Sequence, residues 1–259
     1  MAQNLYLSGA ERGSGKSVIV LALMEFLSGH AGRVGFFRPV IRSGEQRDEL
    51  IYLIAERYQL DFPYEDMYGC SSELARELIA ANRYDELLKT ILVKYRDLQA
   101  RCDRVLCAGT DYRAGHSVLE FDFNSDVANN LGCFILPVVR GNERSNGEIR
   151  DASGAFLKSL QERHCDILAT VINGVPRDQV DALRVELEGA PLGESPVYSI
   201  PAEPLLSKPT LGDIARCLDT DVIYGDATGL NRVVQNYKVA AMQVPDFLDY
   251  VEEGSLIIT

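Results

Sequence analysis

The stretch that decides the fold of this chain is NLYLSGAERGSGKSVIVLALMEFL, residues 4–27. The apolar run at residues 4–8 predicts a β-strand, and residues 16–27 have the pattern of a helix. Between them lies A-x-x-x-x-G-K-S at residues 10–17, in which Ala10 takes the place of the usual first glycine. A glycine-rich loop between a strand and a helix is the arrangement that holds phosphate groups. The stretch therefore predicts a phosphate-binding loop, and a chance glycine-rich turn is the alternative.

Each residue of the loop has an expected role in nucleotide binding. Gly13 and Gly15 permit backbone angles that turn N–H groups toward an anion, and Ser14 lies between them. Lys16 is expected to reach the β- and γ-phosphates, and Ser17 to ligate Mg²⁺. The loop therefore predicts ATP and Mg²⁺ as cofactors. The alternative for Lys16 is the role of a surface lysine.

A phosphate loop that works with Mg²⁺ also needs a carboxylate at the end of another strand. In VLCAGTDY, residues 105–112, that position holds Ala108, which has no ligand atom. Asp111 is a candidate metal ligand in the following loop, although it also fits the start of a turn. Asp48, after the second predicted strand, is another candidate ligand, and the start of a solvated helix is its alternative role. The predicted metal ligands are therefore Ser17, Asp48 and Asp111.

Two further charged residues, Glu11 and Arg38, are expected to affect the predicted phosphate-binding loop. Glu11 brings a negative charge into the loop, and we expect the neighbouring Arg12 to offset it. Arg38 belongs to the strand-like segment VGFFRPV, residues 34–40, and is predicted to lie at the carboxyl edge of the sheet. There it contacts an anion or forms a surface ion pair.

The rest of the chain alternates apolar, β-rich runs with amphipathic helical stretches. Continuous apolar strands between helices indicate a parallel sheet that is covered on both faces. The predicted fold class is therefore α/β, with a doubly wound, mostly parallel sheet of the P-loop NTPase type. Further strands are predicted at residues 34–40, 104–109, 133–139, 166–174 and 196–200, and helices at residues 46–58, 84–100, 126–131, 148–164 and 179–188.

Composition excludes several classes of function. The formal net charge is −12, which argues against nucleic acid as a partner because phosphate backbones need a basic face. No apolar run reaches the ~20 residues that cross a bilayer, and no signal peptide is visible, so we expect a cytoplasmic protein without a membrane partner. The six cysteines form no C-x-x-C pair and several lie in apolar runs, which predicts buried free thiols. The three histidines are scattered and predict no zinc site.

The last part of the chain reads as a second unit. We place the domain boundary between residues 218 and 219, so that residues 1–218 form the P-loop domain and residues 219–259 begin another domain. A helix is predicted near residues 230–237. The chain ends on the apolar run LIIT, which we interpret as truncation inside the second domain, with an ordered C-terminal strand as the alternative.

Several segments resemble those of a known family, namely GAERGSGKS, VGFFRPV, VLCAGTDY, EFDFNSDVANNLG and TVINGVP. The family is the dethiobiotin-synthetase-like domain at the N-terminus of long bacterial phosphate acetyltransferases. PAEPLLSKPTLGDIA and VAAMQVPDFLDYVEEGSLIIT resemble the linker of that family and the start of its DRTGG domain. The resemblance covers essentially the whole chain. It implies that the transferase chemistry, acetyl-CoA plus phosphate to acetyl phosphate plus CoA, belongs to a C-terminal domain absent from these residues.

The resemblance also implies roles for individual residues. In the related dethiobiotin synthetase, the loop that matches Ala10–Ser17 binds the phosphates of ATP, and the strand that matches Val105–Gly109 supplies a glutamate to Mg²⁺. The asparagine that matches Asn173 lies near the adenine, although a turn after a strand is an equally ordinary role for Asn173. A lysine that acts on substrate and phosphate corresponds to Arg38. This sequence departs from the pattern at Ala108 and Arg38, which speaks against the ligase reaction.

Three functions follow from these observations. The first is a non-catalytic regulatory and assembly domain of a phosphate acetyltransferase, which binds a nucleotide or another small effector and forms a homo-oligomer. The second is an active ATP-dependent ligase of the dethiobiotin synthetase type. The third is an interaction scaffold whose loop binds nothing. For the first of these, the predicted phosphate-binding residues are Gly13, Ser14, Gly15, Lys16, Ser17, Arg38 and Asn173, and no catalytic residue is expected.

Overall fold

The computed structural model describes residues 4–44, 47–110, 117–188, 195–241, 243 and 247–259. The chain divides into two compact units, Met1–Ala202 and Glu203–Thr259. The first unit ends before the boundary predicted at residue 218, because the helix formed by Leu211–Cys217 belongs to the second unit. Among the described residues, no helix is long and apolar enough to cross a membrane.

The first unit is built on a seven-stranded sheet in which every described pair is parallel. The strand order is β3-β2-β4-β1-β5-β6-β7, so the first strand is central and the chain winds away from it in both directions. The strands are β1 (Leu5–Gly9), β2 (Val34–Ile41), β3 (Tyr68–Ser71), β4 (Arg104–Ala108), β5 (Phe134–Arg140), β6 (Thr170–Val175) and β7 (Val197–Pro201).

Helices connect these strands and cover the sheet. They are α1 (Lys16–His30), α2 (Glu49–Arg57), α3 (Ser72–Ala80), α4 (Tyr84–Gln99), α5 (Ser117–Leu131), α6 (Asn146–Glu162) and α7 (Val180–Glu188), with a short 3₁₀ helix at Tyr64–Asp66. The predicted α/β class with a doubly wound parallel sheet is confirmed. The parallel arrangement explains the continuous apolar strands, because both faces of the sheet must be buried under helices.

The core lies along the central strands. The fully buried side chains of these strands include Tyr6, Phe36, Phe37 and Leu106. The side chain of Asn4 is buried beside them and forms two hydrogen bonds. Asn4 Nδ2 donates to the Tyr95 hydroxyl at 2.6 Å, while Asn4 Oδ1 accepts from the backbone N–H of Val105 at 2.8 Å. These bonds satisfy the buried amide, which would otherwise destabilise the core.

Several elements of the first unit differ from the sequence predictions. The edge strand β3 and the helix α3 were not predicted, because the segment YGCS is short and contains a glycine that weakens the strand signal. The helix α5 begins at Ser117 and not at Asp126, since the buried polar residues Asn124 and Ser125 interrupt its apolar stripe. The helix α2 begins at Glu49, three residues after the predicted start.

The thiols are mostly inside the protein. Cys70, Cys107, Cys133 and Cys165 are buried, as predicted, and Cys102 is half-buried. The prediction is wrong for Cys217, which is exposed at the end of its helix in the second unit. Burial raises the pKa of the Cys70 thiol to about 12, so this group stays protonated in the folded protein.

The second unit is small and carries its own sheet. It contains a 3₁₀ helix (Pro204–Ser207), α8 (Leu211–Cys217), α9 (Ala227–Leu230) and two parallel strands, β8 (Asn236–Val239) and β9 (Ser255–Ile258). The helix predicted near residues 230–237 is wrong: α9 ends at Leu230, and the chain continues as a bridge at Val233 and then as β8. The β-branched pair at residues 233 and 234 favours this extended backbone. Ile223 and Tyr224 are 98% exposed.

Candidate phosphate-binding site

The phosphate loop connects the central strand β1 to the helix α1. Gly13 and Gly15 both have φ of 76°, a left-handed conformation that favours glycine. Gly15 caps α1, and its carbonyl oxygen accepts from the backbone N–H of Val18 at 3.0 Å. The loop is also fixed at its start, where the N–H of Ala10 donates to the carbonyl of Val138 at 2.9 Å. The positive end of the α1 dipole thus faces the loop.

Lys16 holds a positive charge at the base of this loop. Its side chain is buried, with the residue only 4% exposed, and Nζ donates to the carbonyl oxygen of Gly109 at 2.5 Å. A buried ammonium group needs such acceptors because burial otherwise disfavours its charged form. The lysine therefore spans from the loop to the end of β4, the neighbouring strand in the sheet.

Asn173 forms a hydrogen bond with the backbone of the phosphate loop. It lies on β6 beside Arg140 of β5, and its Nδ2 donates to the carbonyl oxygen of Ser14 at 3.0 Å. The contact is so close that a Cβ on Gly15 would lie 2.0 Å from Asn173 Nδ2. The structure therefore places Asn173 against the loop backbone, while its predicted place near an adenine stays a prediction.

The charge of Glu11 is offset by a different residue from the one expected. Arg144, which precedes the cap of α6, donates to both carboxylate oxygens of Glu11, at 2.9 and 2.5 Å. The backbone N–H of Arg140 also donates to Glu11, at 3.1 Å. The expectation that Arg12 plays this part is wrong, because β5 is the sheet neighbour of β1 and delivers Arg144 to the loop.

Arg38 and Asp48 form an ion pair near the end of β2. The distance between Arg38 Nη2 and Asp48 Oδ2 is 3.7 Å, and the two side chains are only 14% and 10% exposed. Asp48 also caps α2, because its Oδ1 accepts from the N–H groups of Leu50 and Ile51, each at 3.1 Å. Arg38 is thus in an ion pair that is largely buried and not on the surface. Its Nε is buried without a hydrogen-bond partner among the described residues.

A polar cluster that the sequence did not reveal closes the end of β4. Asn124 of α5 accepts from the Tyr6 hydroxyl at 2.7 Å and from the N–H of Thr110 at 3.1 Å. Its Nδ2 donates back to the carbonyl of Thr110 at 3.2 Å. Burial raises the pKa of Tyr6 well above its ordinary value, so the phenol remains a donor. Asn124 was missed because it lies in a helix whose composition is polar.

The described residues fit phosphate groups better than they fit Mg²⁺. Ser17 is exposed at the start of α1, but the β4 position predicted to face it holds the buried Ala108. Asp48 is engaged by Arg38 and by α2, and Asp111 lies outside the described residues. Within the described part of the chain, no group of three or more His, Cys, Asp or Glu residues could hold a metal ion.

The site thus brings together some predicted residues and not others. Gly13, Ser14, Gly15, Lys16 and Asn173 meet around the loop, while Arg38 and Asp48 form a pair on the far side of β4. Sequence reasoning missed Arg144, Asn124 and Thr110. The available signal for Arg144 was its position just after a predicted strand. That signal could not be used, because the sequence did not show that this strand lies beside β1.

Comparison with known proteins adds to this geometry. The model of the AAA domain family matches residues 3–223, and that of the DRTGG domain family matches residues 213–259. A phosphate acetyltransferase of Nitratidesulfovibrio vulgaris is 38% identical over 265 residues, which are 100% of this chain and 38% of that protein. A phosphate acetyltransferase of Synechocystis sp. is 32% identical over 267 residues, with the same coverage of 100% and 38%.

The chain therefore spans 38% of the length of these relatives. Among solved structures, the BceF tyrosine kinase domain aligns with a TM-score of 0.40 and 21% identity, over 67% of this chain and 69% of that one. The matches to the two domain families and to the relatives confirm the resemblance that the sequence motifs indicated.

Proposed function

This chain belongs to the AAA domain family and joins that domain to a DRTGG domain, and from this premise we propose that it is the regulatory and assembly region of a phosphate acetyltransferase. Relatives that match the whole chain carry that enzyme's name. We assign the reaction itself, acetyl-CoA plus phosphate to acetyl phosphate plus CoA, to another part of the enzyme. The chain covers 38% of the relatives, which leaves room for a separate transferase domain.

The observation that carries the proposal is the phosphate loop. Two left-handed glycines, a buried lysine and the N-terminus of a 15-residue helix converge at the central strand. This combination offers backbone N–H groups and positive charge to an anion. In our proposal the loop binds the phosphates of a nucleotide such as ATP, and that nucleotide acts as an effector of acetyl transfer.

The ligase alternative has less support. The dethiobiotin synthetase reaction uses a glutamate at the end of the strand that matches β4, and this chain has Ala108 there. It also uses a lysine where this chain has Arg38, and here the arginine is paired with Asp48. A site without these groups is suited to binding and not to phosphoryl transfer.

Binding is tested by isothermal titration calorimetry of the chain with ATP. We expect Lys16→Ala to weaken binding at least about tenfold, because a charge-assisted contact to phosphate is lost. Lys89→Ala is the matched control, since Lys89 is exposed on α4. Circular dichroism of each variant checks that the fold is kept. Absence of binding to ATP, ADP and NADH in the unaltered chain would overturn the proposal and favour the scaffold alternative.

Regulation is tested in the complete acetyltransferase that carries this chain. We expect Lys16→Ala to change the response of acetyl transfer to added ATP, while the rate without effector stays the same. Removal of residues 1–259 should change both the effector response and the subunit count. An enzyme with identical kinetics, effector response and oligomeric state after this removal contradicts the regulatory role.

The proposal includes self-association and a cytoplasmic location. A regulatory region in a symmetric oligomer couples sites on different subunits, which is the usual setting for effector control. Light scattering on the chain checks association, and a strictly monomeric chain would argue against an assembly role. Four buried thiols support a reducing compartment such as the cytoplasm.

A further inference from the structure

We infer that the phosphate loop between β1 and α1 binds the phosphate groups of its ligand without a divalent cation. In this inference the Arg38 guanidinium supplies the positive charge that Mg²⁺ supplies in related loops. The inference rests on the proposed function, because it concerns the same site. The ligand class is a polyphosphate anion, either as part of a nucleotide or free.

The first step of the argument is the lack of acidic ligands among the described residues. The end of β4 holds Ala108, which is fully buried and pairs with Leu7 of β1. Asp48 has both carboxylate oxygens engaged, one by the N–H groups of α2 and the other by Arg38. Mg²⁺ prefers carboxylate oxygens and water in octahedral geometry, and the described residues offer no such set.

The second step is the position of Arg38. In the β2–β4 register Phe37 pairs with Cys107, so Arg38 stands next to Ala108. Neighbours in register point to the same face of a sheet, so the guanidinium shares the face of the position predicted to hold the metal-binding carboxylate. A cation therefore stands beside the position at which a phosphate loop that works with Mg²⁺ needs a carboxylate.

The third step is that the hydrogen-bonding capacity of the Arg38 guanidinium is only partly used. The contact between Arg38 and Asp48 is long for a hydrogen bond, at 3.7 Å, and Arg38 Nε is buried without a partner among the described residues. An unpartnered buried N–H destabilises the protein, and a phosphate oxygen would satisfy it. Arginine donates to phosphate through several N–H groups in a fixed geometry, which suits this role.

The fourth step is a second unpartnered donor at the same edge of the sheet. Thr110 is only 5% exposed, and its Oγ1 has no hydrogen-bond partner among the described residues. It follows Gly109, whose carbonyl oxygen accepts from Lys16 Nζ. Glu11 and Asp48 are each paired with an arginine, so neither of these carboxylates is free to hold a cation. Such a site favours an anion without a counter-cation.

The test is calorimetry of the chain with ATP and with tripolyphosphate, in EDTA and in Mg²⁺. We expect binding in EDTA at least as tight as in Mg²⁺. Arg38→Gln should weaken binding in EDTA about tenfold or more, and Arg38→Lys should keep part of the affinity. Arg104→Gln is the matched control, because Arg104 lies at the opposite end of β4. Equal binding of the two ligands assigns recognition to the phosphates, and tighter ATP binding adds a contact to the nucleoside; either supports the inference.

Two outcomes separate this inference from the proposed function. Binding of ATP only in Mg²⁺, lost in Asp111→Asn and unchanged in Arg38→Gln, would overturn the inference and leave the proposed function standing. No binding under either condition would overturn both. Urea unfolding of both Arg38 variants checks that any loss of binding is not a loss of the fold. Arg38→Lys is expected to stay folded, because it retains the positive charge beside Asp48.

Discussion

Gly15 is confined by both its backbone conformation and its surroundings. Its φ is 76°, and a Cβ at this position would lie 2.0 Å from Asn173 Nδ2. Real side chains essentially never approach a Cβ so closely, so either the asparagine or the loop would have to move. The loop conformation therefore depends on one residue with no side chain and on one amide from a distant strand.

We predict that Gly15→Ala lowers the free energy of unfolding by about 1–3 kcal/mol, because a left-handed alanine is strained and the Asn173 contact is lost. Gly29→Ala is the control, since Gly29 lies in α1 with nothing within 4 Å of its Cβ position. That change should be neutral or stabilise the protein by up to about 1 kcal/mol. Urea titration measures both variants. Equal effects would show that Asn173 does not confine the loop.

Single residues also show which features a local sequence motif can predict. The special backbone angles of Gly13 and Gly15 followed from eight consecutive residues, because a loop between a strand and a helix is a local structure. The partner of Glu11 did not follow, since Arg144 is 133 positions away in the sequence. Proximity in sequence favoured Arg12, and the strand order of the sheet favoured Arg144.

At the scale of elements, α2 shows how one side chain serves two structures. Asp48 caps the first turn of the helix through Oδ1 and pairs with Arg38 of β2 through Oδ2. The N–H of Asp48 in turn donates to the Tyr64 hydroxyl at 2.7 Å. The start of α2 is thereby fixed relative to the sheet edge that we assign to phosphate binding.

We predict that Asp48→Ala destabilises the protein by about 1 kcal/mol more than Asp48→Asn does. Both variants lose the ion pair with Arg38, but asparagine still caps the helix. Urea titration in EDTA measures the difference without any contribution from a metal. Equal free energies of unfolding for the two variants would show that the cap does not hold α2 in place.

The elements themselves were predicted unevenly. Long amphipathic helices such as α4 were predicted nearly to their bounds, because Leu87, Ile91, Tyr95 and Leu98 repeat with the helical period and are all buried. The strand β3 escaped notice because its pairing with β2, and not its own composition, makes it a strand. Tertiary context decided the short elements.

At the scale of the whole molecule, burial of titratable groups links stability to alkaline pH. Burial raises the pKa of Cys70 from 9.0 to about 12, and it raises the pKa values of Cys102, Cys165 and Tyr84 as well. The folded protein keeps these protons at a pH at which the unfolded chain releases them. Stability from these groups is therefore full below their unfolded pKa and is lost as the pH rises toward the folded pKa.

We predict that the free energy of unfolding falls between pH 9 and pH 11, and that Cys70→Ala makes this fall shallower by about 1 kcal/mol per pH unit. Urea titrations at several pH values measure the slope. Cys217→Ala is the control, because Cys217 is exposed and should leave the slope unchanged. A Cys70→Ala slope equal to that of the unaltered protein would contradict the assignment.

The sequence by itself determined the glycine-rich loop between β1 and α1, the parallel α/β class and the family, because each follows from short motifs or from local periodicity. Only the tertiary structure decided the partners of the loop. Asn173 reaches Ser14 across 159 positions, and Arg144 reaches Glu11 across 133. Those contacts exist because β5 lies next to β1 and β6 lies next to β5 in strand order, and strand order is set by the packing of the whole sheet and not by any single segment.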